Sequence, residues 1–165
     1  LLLRRYAERT LADALDFVRA RPVTLRFIEL MQTGDNGSFF NSQHLSAAEI
    51  ERGLQAQGWQ LLPRQPHAGP AREYFHRDFS GSIGFIAPYS EDFCKSCNRL
   101  RVTAQGKMHL CLFGSIAYDL RPYLLEGDAE GLRRYLHQTI AEKPEHHYLH
   151  DKKVGLITNL SMTGG

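Results

Sequence analysis

The chain has little of what marks several large classes of protein. Lysine and arginine number 20 against 18 aspartate and glutamate, so the net charge is only +2. That is too small to argue for a nucleic-acid partner or a membrane surface. Long hydrophobic runs are absent as well: the longest, such as Leu1 to Leu3, are far too short to span a bilayer. A basic segment followed by an apolar stretch is missing from the start, so no secretory signal is expected. There is no internal repeat and no low-complexity segment. Cysteine is scarce, with three in 165 residues. An odd set of three, two of them in a CxxC arrangement and without an export signal, points to a reduced cytoplasmic setting and metal binding over disulfides.

What is present is ordinary for a soluble globular protein, with an apolar fraction of 42% and a charged fraction of 23%. The length suits one domain with a real core, or parts of two. Leu1 to Leu3 reads as the end of a buried strand. Thr10 to Arg19 carries apolar residues at Leu11, Ala14, Leu15 and Val18, which is helical spacing. Pro22 stops that helix, and Val23 to Leu30 follows as a strand. Strand, helix and strand in this order predict a βαβ unit and a parallel sheet. Gly34, Asn36 and Gly37 then open a loop, and the composition shift from Met31 to Asn41 predicts a boundary. A second helix begins at Ser46, where Ser46 and Glu49 form a capping box, and ends near Gly58. Strands are expected at Trp59 to Leu62, Arg72 to Phe79 and Ser82 to Ala87. A hairpin is expected from Arg99 to Leu112 about Gln105 and Gly106, then helices from Tyr118 to Leu125 and Ala129 to Glu142. The tail from His146 to Gly165 has no clear period.

The chemistry concentrates around the cysteines. Cys94-Lys95-Ser96-Cys97 is followed, after a short hairpin, by Cys111, fourteen residues beyond Cys97. Such spacing gathers thiolates around one metal centre. Three thiolates fill a tetrahedral zinc site only with a fourth ligand from elsewhere, and His109, two residues before Cys111, could supply it. They equally suit an iron–sulfur cluster that keeps one iron open. Arg99 and Arg101 place fixed positive charge beside the metal. On one strand their alternate spacing would let both guanidinium groups converge on an anionic ligand; alternatively they are surface arginines. Arg26 and Glu29 are charges on an otherwise apolar strand, either a structural ion pair with each other or functional groups. Met31 reads as a core methionine or a ligand contact.

The segment from Asp92 to Phe113, DFCKSCNRLRVTAQGKMHLCLF, closely resembles the C-terminal cluster motif of the MoaA-type GTP 3′,8-cyclases. These are radical S-adenosylmethionine enzymes, lyases of molybdenum cofactor biosynthesis. The strand LRFIELM, from Leu25 to Met31, is similar to that family's last well-marked barrel strand, Phe85 to Tyr89 also fits, and Gly164-Gly165 resembles its terminal di-glycine. The resemblance covers essentially the whole chain. It implies that Cys94, Cys97 and Cys111 hold a [4Fe–4S] cluster whose fourth iron binds the guanine of GTP. It also implies that Arg99 and Arg101 bind GTP, with Leu100 contributing backbone between them. Arg26 would face the nucleotide, Met31 would touch S-adenosylmethionine, and Gly164 and Gly165 would reach into the active site. The chemistry implied is hydrogen abstraction from GTP ribose by a 5′-deoxyadenosyl radical, giving the cyclised precursor of cyclic pyranopterin monophosphate.

The family also carries an N-terminal CxxxCxxC that binds the cluster cleaving S-adenosylmethionine, and no such motif exists here. The chain therefore reads as the C-terminal half of such an enzyme, with the N-terminal radical half as its missing partner, and alone it is not expected to be catalytic. The expected fold is α/β: the C-terminal remnant of an incomplete, partial TIM-type barrel over residues 1–35, then an α+β iron–sulfur and GTP-binding domain over residues 36–165. An uncovered edge at Leu1 to Leu30 predicts aggregation or a homodimer. The alternative is a non-catalytic module that binds iron–sulfur or zinc and a guanine nucleotide.

Overall fold

The structure, a computed structural model, describes residues 1–65, 68–91, 93–95, 97–114, 116–145 and 149. The chain divides into two compact units, one of Leu1–Met31 with Ser38–Phe93, the other of Gln32–Gly37 with Cys94–Gly165. Each carries its own sheet, so the protein is mixed α/β with two sheets.

In the first unit, helix α1 (Ala7–Arg19) leads to strand β1 (Thr24–Ile28). Helices α2 (Gly37–Gln43) and α3 (Ala47–Ala56) follow, then strands β2 (Gln60–Leu61), β3 (Arg72–Phe75) and β4 (Ser82–Ile86). The sheet order is β1-β4-β3-β2. β1 and β4 run parallel, with Arg26 opposite Gly84 and Phe27 opposite Phe85, while β3 is antiparallel to both its neighbours. Leu2 forms a single parallel bridge with Glu29, which gives the expected strand–helix–strand order its first strand in one residue pair. The sheet as a whole is mixed, because β2, β3 and β4 follow one another without an intervening helix among the described residues and pair antiparallel.

The helices cover one face of this sheet. Ala14 and Val18 of α1 and Ala47 and Leu54 of α3 share a buried cluster with Phe27, Ile83, Phe85, Trp59 and Tyr74. Alternation along β1 then sends Arg26 and Ile28 to the opposite face, and both are exposed. Helix α3 starts where expected, with the Ser46 hydroxyl accepting from the Ala48 amide at 3.3 Å.

The second unit has strands β5 (Arg101–Val102), β6 (Lys107–His109) and β7 (Tyr118–Asp119), all antiparallel in that order. Helices α4 (Arg121–Glu126) and α5 (Ala129–Ile140) complete it. Its buried cluster is small: Met108, Leu110 and Leu120, flanked by partly buried Tyr118, Leu132, Tyr135 and Leu136. Two local expectations are corrected here. Gly37–Gln43 is helical and not loop, and Tyr118–Asp119 is a third strand and not the start of a helix. Pro122 explains the second case, since proline fits the first turn of a helix and so places the helix start later, at Arg121.

Candidate functional site

The hairpin that presents the candidate residues turns at Gly106. The Gly106 amide donates to the Thr103 carbonyl at 2.9 Å, and the Thr103 amide to the Lys107 carbonyl at 2.9 Å. Gly106 has φ +74°, and a Cβ there would lie 2.7 Å from Arg121 Cγ, so glycine is required. From this turn the strands run to an open end, where Arg101 is paired with His109. Cys111 lies two residues past that pair and Arg99 two residues before it.

Cys94 and Cys97 are joined by a tight turn in which the Cys97 amide donates to the Cys94 carbonyl at 3.0 Å. Cys111 opens a similar turn, its carbonyl accepting from Gly114 at 3.2 Å. All three cysteines are half-buried and none is in a disulfide. Among the described residues, no three of His, Cys, Asp and Glu stand together as a formed metal-ligand group. The donor set itself, three free thiols, is of the type that a thiolate-held centre takes. Burial and then the like charge of Arg99 push the Arg101 pKa down, while Cys97 and Cys111 pull it up. The guanidinium remains charged at any ordinary pH. Arg101, Arg99, Cys97 and Cys111 therefore share one electrostatic neighbourhood.

Arg99 does not reach that neighbourhood by strand alternation. It lies ahead of β5, exposed, as does Leu100. The ladder ends at Arg101, so the alternation argument covers only one of the two arginines. His109 is 8% exposed, and its Nδ1 is buried without a hydrogen-bond partner among the described residues. Burial, followed by Lys107 and Arg101, pushes its pKa below the usual histidine range. No ligand group of three that includes His109 stands among the described residues.

In the first unit, Arg26 is paired, though not with Glu29. Its guanidinium meets Glu73 Oε1 at 2.9 and 2.6 Å. Residues three apart on a strand face opposite sides, which excludes the Arg26–Glu29 pair. Arg26 and Glu73 instead meet across Gly84, which stands opposite both. A Cβ at Gly84 would fall 3.0 Å from Arg26 Cγ and 3.4 Å from Glu73 Cγ. Glu29 is 1% exposed and bonded to His44 Nε2 at 2.8 Å. Burial raises its pKa, with the His44 bond and the Ala47 amide opposing. Met31, half-buried, follows three residues after the end of β1. Gly164 and Gly165 lie outside the described residues. Sequence reasoning missed the Glu29–His44 pair, and it missed Lys143, whose ammonium meets two backbone carbonyls of the hairpin. No periodicity signals either one, because both join segments distant in sequence.

Among the described residues, no helix is long and apolar enough to cross a membrane. The family model for Molybdenum Cofactor Synthesis C matches residues 23–149. Over its whole length the chain is 44% identical to a GTP 3′,8-cyclase of Haemophilus ducreyi, covering 49% of that protein. It is 47% identical to a GTP 3′,8-cyclase of Stenotrophomonas maltophilia strain K279a, again over its whole length and covering 51% of the relative. A GTP 3′,8-cyclase of Synechococcus elongatus is 46% identical over 94% of this chain and 48% of its own length. The chain thus spans about half the length of the curated relatives it matches.

Proposed function

Because the chain belongs to the molybdenum cofactor synthesis C family, we propose that it is the C-terminal part of a GTP 3′,8-cyclase. In that reading it serves molybdenum cofactor biosynthesis in the cytoplasm, in the conversion of GTP to the cyclised precursor of cyclic pyranopterin monophosphate. Cys94, Cys97 and Cys111 hold a [4Fe–4S] cluster, which when bound supplies an open iron for the guanine base. Arg99 and Arg101 bind and orient GTP through charge-assisted, forked hydrogen bonds, and Leu100 adds backbone contacts. The observation that carries this reading is the family match over residues 23–149, the stretch that contains all three cysteines and both arginines.

Residues 1–35 are the last strands and helix of a partial radical S-adenosylmethionine barrel, and residues 36–165 the iron–sulfur and GTP part. The layering of the first unit supports this. In a barrel of this kind helices cover the outside and the other strand face lines the interior. Here α1 packs on the Phe27 face of β1, and Arg26 lies on the exposed face. In this reading Arg26, paired with Glu73, would meet the nucleotide, Met31 would touch S-adenosylmethionine, and the terminal Gly164 and Gly165 would contribute to the active site. In this reading the chain works together with an N-terminal half that carries the CxxxCxxC motif not found in these 165 residues. Exposed Leu1, Val23 and Ile28 support association through residues Leu1 to Leu30, with that half or as a homodimer.

GTP binding tests the reading. Arg99→Ala and Arg101→Ala should each weaken GTP affinity of the anaerobically reconstituted chain by about 1.5–3 kcal/mol. Lysine at either position should restore only part, keeping charge but losing the fork. Unchanged affinity in the double alanine variant would leave both as surface charges. The buried, unpartnered Nδ1 of His109 favours a second reading, a zinc-binding module. Absorbance near about 400 nm, characteristic of iron–sulfur clusters, separates the two.

A further inference from the structure

The β5–β6 ladder stops at Arg101 and His109. Were it to run on, Leu100 would stand opposite Leu110, and Arg99 opposite Cys111. At this open end a side chain from elsewhere takes over. Lys143 lies three residues past the end of α5, its amide still donating to the Ile140 carbonyl at 3.0 Å. Its ammonium donates to the Arg99 carbonyl at 3.0 Å and to the Leu110 carbonyl. An ammonium has three donors and no acceptor, so it suits two carbonyls that a strand ladder has left behind. Bonds from a charged donor are also stronger than neutral ones. The neighbouring Glu142 accepts from the Tyr118 hydroxyl at 2.8 Å, so the same turn is fastened to β7 as well.

The two anchored carbonyls are adjacent in the chain to the candidate site. The Arg99 carbonyl leads through Leu100 to Arg101, and the Leu110 carbonyl is bonded directly to the Cys111 nitrogen. We propose that Lys143 is a positioning residue: by tying the Arg99 carbonyl to the Leu110 carbonyl, it sets the spacing between the two arginines and the third thiol. The inference rests on the reading in which those residues meet GTP and the cluster. A structural lysine would steady the fold wherever it bonded. This one closes the one gap in the hairpin across which arginines and thiol must be held in register.

The test uses the whole chain, reconstituted anaerobically, as wild type, Lys143→Met, Lys143→Arg and the Arg99→Ala/Arg101→Ala double variant. Backbone hydrogen exchange at residues 99–101 and 109–111 reads the tie alone. Titration with GTP reads its consequence, and iron per chain reads the centre. Lys143→Met should speed exchange at the open end and weaken GTP binding about tenfold, the scale of a lost charge-assisted bond, with iron retained. Lys143→Arg keeps charge and donors and should recover both. Unchanged exchange in Lys143→Met would show there is no tie. An affinity loss that arginine fails to restore would reduce Lys143 to a structural role. Wild-type GTP binding by the double arginine variant would instead overturn the nucleotide reading, and the positioning role with it, whatever the exchange shows of the tie.

Discussion

In the four-stranded sheet, Phe27, Ile83 and Phe85 are at most 4% exposed and are covered by two helices with Trp59 and Tyr74 around them. In the three-stranded sheet, Met108 is the one buried apolar strand residue; it stands opposite Val102 and Tyr118, and Lys107 and His109 flank it along β6. The first sheet is thus a structure of apolar burial with its charges paired: Arg26 with Glu73, Glu29 with His44, and Arg72 with Glu51 through two bonds of 2.9 and 2.6 Å. In the second, the charges stand beside thiols, and a buried histidine nitrogen has no partner among the described residues. A sheet with so little apolar area draws less stability from burial. The difference teaches where each half of the reading is carried: scaffold in one, chemistry in the other.

The comparison breaks most readily at Phe85. Removing a fully buried ring from the first sheet should cost about 3–5 kcal/mol. Trp59, the only tryptophan and itself buried in this cluster, makes its fluorescence the probe of denaturant unfolding. A loss well under 1 kcal/mol from Phe85→Ala would mean the first sheet is not held by apolar packing.

A smaller effect sharpens the account of paired charge. Glu29 has a folded-state pKa raised above its usual 4.5, chiefly by burial. A group raised in this way favours the folded state below its unfolded pKa and loses that contribution as pH climbs through the raised value. Stability of the wild type should therefore fall, relative to Glu29→Gln, as pH rises above 4.5. The slope is bounded at about 1.4 kcal/mol per pH unit for one proton. Parallel curves, or a wild type that gains on the variant with rising pH, would refute the burial argument. The smallest effect belongs to the cap of α3: Ser46→Ala should lower stability by about 1 kcal/mol, read by the same Trp59 transition.

That cap, the Pro22 stop and the strand at β1 were legible because each is a local signal: a side chain beside its own backbone, or alternation over a few residues. The hairpin about Gly106 was legible for the same reason. Helix α2 was not, since Gly37, Ser38, Asn41 and Ser42 are poor helix formers and the segment shows no apolar period. β7 is only two residues long and has no period to read. At the site, cysteine spacing was legible and partnership was not. Nothing near Arg26 in sequence points to Glu73, 47 residues away, and nothing near Arg99 points to Lys143, 44 residues away. Such pairs are created by the fold.

The central claim is that three thiolates of this chain hold an iron–sulfur cluster beside the two arginines. Iron per chain after anaerobic reconstitution tests it most directly. The wild type should take up about four irons, and the triple variant Cys94→Ser/Cys97→Ser/Cys111→Ser close to none, because a neutral hydroxyl does not replace a thiolate ligand. Full iron loading of the triple variant would contradict the account.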